Sequence, residues 1–157
     1  MKKNIIFFFL ILMFSFFGGY FNALRTHQSF FSNPPSSEEE KFIFARKNLR
    51  KEIPLLKFDA VEKVYQNNSK IFIDARHTEE YIKGHIEDAI SLPLVEIEKQ
   101  LPEFLQKYNP QTPFLIYCGG LDCSASIDLA NKFYETGYLN LEVYAGGWQE
   151  WQKLHQK

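Results

Sequence analysis

The chain has 157 residues, which is enough for one ordinary domain with a segment left over at an end. Its 18 Lys and Arg residues nearly balance its 19 Asp and Glu residues, so the formal net charge is −1 and no long basic block stands out. Proteins that bind nucleic acid through its phosphates carry clustered positive charge, and this composition therefore argues against nucleic acid as a partner.

The first 25 residues form a hydrophobic segment that we interpret as a signal anchor or a signal peptide. Lys2 and Lys3 precede an uncharged, mostly apolar stretch over residues 5–24, and Arg25 follows it. The whole stretch over residues 5–24 is just long enough to cross about 30 Å of hydrocarbon. Its unbroken apolar part, residues 5–17, has the length of a signal-peptide core. The lysines predict that the rest of the chain lies on the non-cytoplasmic side. We therefore expect a membrane-anchored domain facing the periplasm or cell exterior, or a secreted periplasmic domain if the segment is cleaved.

A linker and a folded domain follow this segment. Residues 26–37 contain paired prolines and several serines, a composition typical of a linker. Residues 38–157 are assigned to the domain, which begins with a leading helix. This helix is predicted to run to Leu49, and Ser36 or Ser37 can cap its N-terminus.

Short apolar runs alternate with amphipathic stretches through the rest of the chain. The runs read IFID, AISL, FLIY and LEVY, and a short helix over Ala60 to Gln66, capped by Asp59, is predicted before the first of them. Four-residue apolar runs separated by helical patterns are typical of parallel strands covered by helices on both faces. The sequence therefore predicts an α/β fold, in which ligands bind beyond the carboxyl ends of the strands.

The loop after FLIY carries the candidate chemistry. It consists of Cys118, Gly119, Gly120, Leu121, Asp122, Cys123 and Ser124. An amphipathic helix is predicted to follow it, with Asp122 or Ser124 as the N-cap. Backbone N–H groups in a glycine-bearing turn at a helix start bind anions, and the same field stabilises a thiolate. We therefore expect Cys118 to have a depressed pKa and to act as a nucleophile.

The second cysteine admits several interpretations. Outside the cytoplasm, a disulfide between Cys118 and Cys123 is favoured, and a tight loop could bring the two sulfurs within bridging distance. Two cysteines and four scattered histidines lack the paired short spacings of a zinc site. We therefore expect neither a metal nor another cofactor.

Three stretches of the chain resemble the rhodanese domain in order and spacing, from about Ile53 to Trp151. They read FIDARHTEEYIKGHIEDAISLP, PFLIYCGGLDCSAS and GYLNLEVYAGGWQEW. The positions that match the family's motifs are Asp74 and Arg76 in D-x-R, Gly84, His85 and Ile86 in G-H-I, the active-site cysteine Cys118, and Gly146, Gly147, Trp148 and Trp151 in the G-G-x-x-x-W ending. The resemblance implies a five-stranded parallel sheet with helices on both faces. It also implies a sulfurtransferase, in which Cys118 takes up a sulfane sulfur as a persulfide and passes it to a nucleophile.

The loop departs from the family pattern in its charge. The six residues from Cys118 to Cys123 have the length typical of the sulfurtransferases rather than of the related phosphatases and arsenate reductases, but they include no arginine, and Asp122 adds negative charge. Phosphoryl transfer needs cationic groups around a dianion, so phosphatase chemistry is set aside. Thiosulfate is also a dianion, and we expect low thiosulfate:cyanide activity. Arg76 is either a substrate-binding cation or, with Asp74, a support of the loop.

Three functions remain open on the sequence. The first is a sulfurtransferase or persulfide carrier with Cys118 as nucleophile and Cys123 as modulator or resolving thiol. The second is a thiol-disulfide redox protein that cycles Cys118 and Cys123. The third is a non-catalytic module that uses the rhodanese fold for binding. The expected partners are a small sulfur-containing donor or acceptor, a thiol reductant protein, and the membrane through the N-terminal segment.

Overall fold

A computed structural model describes residues 37–155 of the chain. The predicted anchor or signal segment, and the linker up to residue 36, lie outside the described residues. Between residues 37 and 155, no helix has both the length and the apolar character needed to cross a bilayer.

Strands and helices alternate along the described residues, with one 3₁₀-helix at Leu94–Glu96. The strands are β1 (Leu55–Leu56), β2 (Ile71–Asp74), β3 (Ile90–Ser91), β4 (Phe114–Tyr117) and β5 (Leu141–Tyr144). The helices are α1 (Glu38–Asn48), α2 (Phe58–Gln66), α3 (Thr78–Lys83), α4 (Ile97–Lys107), α5 (Ala125–Glu135) and α6 (Gly147–His155). The apolar runs of the sequence are therefore strands, as predicted.

The five strands form one sheet in the order β1-β5-β4-β2-β3, and every neighbouring pair is parallel. Asp74 at the end of β2 pairs with Tyr117 at the end of β4, and Tyr117 pairs with Tyr144 at the end of β5. The carboxyl ends of the three central strands are thus level. This arrangement confirms the predicted five-stranded parallel α/β fold.

Helices cover both faces of the sheet. Each strand contributes to two cores, because its successive side chains point to opposite sides. On one face, Phe114 and Ile116 of β4 belong to a core that α1, α4 and α5 complete. On the other face, Leu115 and Tyr117 belong to a second core that α2, α3 and α6 help to cover, with Trp151 of α6 among its buried side chains. A strand that is buried on both faces reads as a continuous apolar run.

The helix starts agree only in part with the sequence prediction. Ser37 caps α1, and its side chain and that of Glu40 form a reciprocal capping box. The prediction that Asp59 caps the next helix is wrong, because α2 begins one residue earlier than Asp59, with Lys57 at the N-cap and no side-chain capping bond. The carbonyl oxygen of Lys57 accepts the N–H groups of Ala60 and Val61. Asp59 instead lies in the first turn, where a carboxylate still interacts favourably with the helix dipole.

Candidate active site

The cysteine loop connects the carboxyl end of β4 to the N-terminus of α5. Cys118 directly follows β4 and is 2% exposed, whereas Cys123 is half-buried. The N–H of Cys123 donates a hydrogen bond of 3.0 Å to the carbonyl oxygen of Gly120, which closes a tight turn. The exposed Asp122 lies on the outside of this turn. The loop therefore buries one sulfur fully and leaves the other near its surface.

The Cys118 sulfur lies among polar groups from both sides of the loop. Its Sγ donates to the carbonyl oxygen of Cys123 at 3.0 Å, and the carbonyl oxygen of Gly120 lies 3.8 Å away. The hydroxyl of Ser126 is 3.3 Å from the sulfur, and the main-chain N–H of Ser126 also donates to it. Cys118 thus has two carbonyl groups that hold its thiol proton and two donors that would stabilise its thiolate.

The Cys123 sulfur has a different set of partners. It accepts the main-chain N–H groups of Gly119 and Ala125, and it shares a hydrogen bond with the Cys118 thiol. The first N–H groups of a helix have no partner within the helix. In α5, the N–H of Ala125 donates to the Cys123 sulfur and the N–H of Ser126 donates to the Cys118 sulfur.

This arrangement corrects the predicted cap of α5. Ser124 occupies the N-cap position, but its side chain makes no capping bond and instead donates to Asp128 Oδ2 at 2.9 Å. The carboxylate of Asp122 pairs with Lys41 of α1, where Nζ lies 2.8 Å from Oδ1. Neither predicted capping side chain contacts the helix N–H groups, because the cysteine sulfurs satisfy them.

The prediction of a depressed pKa for Cys118 is wrong, and the low pKa lies on Cys123. The hydrogen bond from Cys118, followed by the N–H groups of Gly119 and Ala125, lowers the pKa of Cys123 to about 6 against the opposing effect of burial. The same thiol–thiol hydrogen bond, together with burial, raises the pKa of Cys118 well above its ordinary value. The pair therefore shares one proton and carries one negative charge near neutral pH. Both cysteines are free thiols in this structure, and their disulfide stays a prediction.

The N-terminus of α6 holds the loop from a second side. The main-chain N–H of Trp148 donates to the carbonyl oxygen of Cys118 at 2.8 Å, and that of Gln149 donates to the carbonyl oxygen of Gly119 at 3.0 Å. Gly147 has a φ of 59°, and a Cβ at this position would lie 2.4 Å from the carbonyl oxygen of Cys118. The second glycine of the G-G motif thus allows the helix to approach the loop backbone closely.

Asp74 and Arg76 form a buried ion pair behind the loop. Asp74 is fully buried, and its Oδ1 accepts the Nε and the main-chain N–H of Arg76, each at 3.0 Å. Arg76 Nη2 donates to Asp74 Oδ2 at 2.6 Å and to the carbonyl oxygen of Gly84 at 2.7 Å. The guanidinium also lies over the ring of Trp148, 5.3 Å from its centroid. Of the two roles considered for Arg76, this geometry favours loop support, since Trp148 holds the backbone of Cys118.

Sequence reasoning missed Ser126, which contacts the Cys118 sulfur. Ser126 is 3% exposed and occupies the buried face of α5 together with Ala130 and Phe133, which lie four and seven residues further along. A hydroxyl on an otherwise apolar helix face needs a polar partner. That pattern was the available signal, and its partner is the Cys118 sulfur.

The outer surface of the loop borders two clefts. One cleft, of about 310 Å³, is lined by Lys41, Leu121, Asp122 and Glu150 among others. A second, of about 510 Å³, extends from Leu121 towards the apolar side chains of Phe42 and Ile43 on α1. Within residues 37–155, no group of three or more His, Cys, Asp or Glu side chains is arranged to hold a metal ion.

The fold and the site together define an α/β protein with a two-thiol loop between a strand end and a helix N-terminus. The family model of the rhodanese-like domain matches residues 58–154, and the chain belongs to this family. The family resemblance predicted from the motifs is thereby confirmed. The match begins after α1, so the helix that pairs with Asp122 through Lys41 lies outside it.

Two sequence relatives indicate the range of proteins that carry this domain. The chain is 31% identical over 107 residues to a mitochondrial protein of Schizosaccharomyces pombe whose name assigns it provisionally as a thiosulfate sulfurtransferase, and the match covers 57% of the chain and 73% of that protein. It is 32% identical over 96 residues to the tRNA uridine(34) hydroxylase of Photorhabdus laumondii, a match that covers 59% of the chain but 26% of the hydroxylase.

Solved structures share the fold. The human single-domain sulfurtransferase superposes with a TM-score of 0.51 and 21% identity, and the match covers 64% of this chain and 96% of that one. EanB superposes with a TM-score of 0.57 and 19% identity over 66% of this chain and 26% of its own. These similarities support the rhodanese-like architecture.

Proposed function

We propose that this protein is a sulfurtransferase that carries a sulfane sulfur as a persulfide on Cys118. The observation that carries the proposal is the position of the Cys118 sulfur at the carboxyl end of β4, where it accepts the N–H of Ser126 and lies 3.3 Å from the Ser126 hydroxyl. Donors aimed at a buried sulfur stabilise the negative charge that it carries as a thiolate or persulfide. Membership of the rhodanese-like family supports the same chemistry.

The first step forms the Cys118 thiolate. At rest, Cys118 is the thiol and Cys123 the thiolate, because the two are hydrogen-bonded and the N–H groups of Gly119 and Ala125 stabilise charge on Cys123. Loss of the Cys118 proton, to Cys123 or to solvent, gives the Cys118 thiolate, which attacks the sulfane sulfur of a donor. A sulfur–sulfur bond forms to Cys118, the bond to the donor breaks, and the electron pair leaves with the donor as a thiolate or sulfite.

The second step returns the loop to its starting state. A nucleophilic acceptor attacks the outer sulfur of the persulfide, and the electron pair of the broken bond returns to Cys118 as a thiolate. The hydrogen bonds from Trp148 and Gln149 to the loop carbonyls fix the backbone during this exchange. We propose a small sulfur-containing molecule as donor or acceptor.

Thiocyanate formation from glutathione persulfide and cyanide tests this proposal with the full-length chain. Cys118→Ser should reduce kcat/KM by at least about 100-fold, since it removes the nucleophile. Cys123→Ser should keep or raise the activity, because Cys118 then loses the partner that raises its pKa. A Cys118→Ser variant with the activity of the unmodified chain would overturn the proposal.

A second candidate function is thiol-disulfide exchange between Cys118 and Cys123. The observation that favours it is the proximity of the two cysteines, since Cys118 Sγ donates to the carbonyl oxygen of Cys123 at 3.0 Å and the two thiols shift each other's pKa. This function needs both sulfurs, so either single substitution should abolish reduction of a disulfide substrate.

If Cys118→Ser and Cys123→Ser lose sulfur transfer equally, the carrier proposal in its simple form fails. If neither variant changes any turnover, the domain is a non-catalytic binding module.

We further propose that the domain works outside the cytoplasm, tethered by residues 1–25 or secreted after their cleavage. The support is the apolar stretch between Lys3 and Arg25 and the lysines before it. A thiol reductant protein in that compartment would keep Cys118 and Cys123 reduced. Labelling of intact cells with a membrane-impermeant maleimide tests the location, because an outward-facing loop reacts before lysis and a cytoplasmic one reacts only afterwards.

A further inference from the structure

Cys123 has more polar partners than a residue that only fills space in a loop would need. Its sulfur accepts two main-chain N–H groups, from Gly119 and Ala125, and its pKa is shifted by the Cys118 thiol. Its carbonyl oxygen accepts the Cys118 thiol at 3.0 Å, so both its side chain and its backbone face the same sulfur. Cys118 and Cys123 are the two cysteines of the described residues, and the loop brings them together.

The position of Cys123 also suits it to attack Cys118 rather than an outside molecule. The 3.0 Å contact between Cys118 Sγ and the carbonyl oxygen of Cys123 brings Cys123 against Cys118 Sγ itself, which becomes the inner sulfur of a persulfide. Cys118 is 2% exposed, so thiols from solution reach this inner sulfur less readily than Cys123 does. Two reacting groups held in contact react faster than the same groups in dilute solution.

We propose that Cys123 is a resolving thiol, which attacks the Cys118 persulfide, forms the Cys118–Cys123 disulfide and releases hydrosulfide. This inference rests on the proposed persulfide on Cys118 and adds a second outcome for it. With an outside acceptor, the sulfur is transferred as sulfane sulfur. Without one, the loop reduces it to hydrosulfide.

The resolving step exchanges the persulfide bond for a disulfide bond. The Cys123 thiolate forms a bond to Cys118 Sγ, the bond between the two persulfide sulfurs breaks, and its electron pair leaves with the outer sulfur as HS⁻. The outer sulfur is reduced, and the two cysteines are oxidised to a disulfide. Two equivalents of an external thiol, or one dithiol protein, then reduce the disulfide by thiol-disulfide exchange.

Single-turnover loading of the full-length chain tests the inference. The unmodified chain and Cys123→Ser are each incubated with glutathione persulfide, desalted rapidly and kept without thiol, and hydrosulfide and intact mass are then followed. The unmodified chain should release about one equivalent of hydrosulfide at least about 100-fold faster than Cys123→Ser. It should end about two mass units below its reduced form, while Cys123→Ser should keep about 32 units of added sulfur until a thiol is supplied.

The other outcomes separate the two proposals. If the unmodified chain keeps the added sulfur on Cys118 while Cys123 can still be alkylated, the resolving role is wrong and the sulfurtransferase proposal stands. If the added sulfur is found on Cys123, that thiol is a relay and the resolving role is likewise wrong. If Cys123→Ser takes up no sulfur at all, both proposals fail together.

Discussion

The main-chain N–H of Trp148 donates a hydrogen bond of 2.8 Å to the carbonyl oxygen of Cys118. This bond joins the last motif of the chain to the cysteine loop, although the two residues are thirty positions apart. Gly147 makes the contact possible because its backbone is left-handed and lies against the loop. The conformation of the loop therefore depends on the start of α6 as well as on its own sequence.

Gly147→Ala should damage the loop. The new Cβ would lie 2.4 Å from the carbonyl oxygen of Cys118 and 2.8 Å from the N of Gly120, at a φ that disfavours side chains. We expect sulfur transfer to fall at least about tenfold and the free energy of unfolding to fall by about 2–4 kcal/mol, measured by urea denaturation. Gly137→Ala is the matched control, because its φ is 94° but nothing lies within 4 Å of its Cβ. That control should lose about 1 kcal/mol of stability and keep its activity.

Arg76→Met tests whether the buried ion pair supports the loop. The substitution leaves the fully buried carboxylate of Asp74 without its cation, and removing one partner of such a pair costs about 3–5 kcal/mol of the free energy of unfolding. Arg50→Met is the control, because the Arg50–Glu135 pair is largely exposed and should contribute about 0–1 kcal/mol. If Arg76→Met keeps its stability but loses substrate affinity, Arg76 binds substrate instead.

The order in which the two thiols react with iodoacetamide should follow their pKa values. Thiolates react and thiols do not, so a lowered pKa extends reactivity to lower pH. Labelling of Cys123 should be half-maximal near pH 6, whereas an ordinary cysteine reaches this point near about pH 8.5. Cys118 should react at higher pH than Cys123, because its pKa is raised. Peptide mapping after a short pulse at each pH measures both, and preferential labelling of Cys118 at pH 6 would contradict the assignment.

Removing Cys123 should move the labelling of Cys118 to lower pH. The hydrogen bond with Cys123 is the largest cause of the raised Cys118 pKa, and Cys123→Ser replaces the thiolate with a hydroxyl. The N–H and hydroxyl of Ser126 remain and favour the Cys118 thiolate. The pH profile of Cys118 alkylation in Cys123→Ser gives the result directly. An unchanged profile would show that the two thiols do not interact.

The charge of the loop should limit its use of thiosulfate. Asp122 is 76% exposed, so Asp122→Arg can be made without unfolding the domain. Replacing a negative by a positive charge near a bound dianion should raise kcat/KM for thiosulfate about five- to tenfold at low salt, mainly through KM, and less at high salt. Glu103→Arg makes the same change of charge on the exposed side of α4 and should have little effect. Equal gains in both variants would point to net charge rather than to the loop.

Much of the fold could be predicted from the sequence, because each central strand is a short apolar run between amphipathic helices. Cys118 could be placed at a strand end for the same reason. The proton distribution could not be predicted, since it depends on which N–H groups face each sulfur, and Gly119 and Ala125 turn out to face Cys123. The left-handed backbone of Gly147 is likewise set by its contact with the loop.

The most direct test of the proposed function is whether the folded site speeds persulfide formation on Cys118. Cys123→Ser leaves Cys118 as the one cysteine of the chain, so an added sulfur of about 32 mass units can be assigned to it. Its rate of sulfur uptake from glutathione persulfide should be measured by intact mass in the native state and again in urea. Uptake should be at least about 100-fold faster in the native state, since the loop donors act only when the domain is folded. Equal rates in the two states, or no uptake by the native protein, would contradict the proposed function.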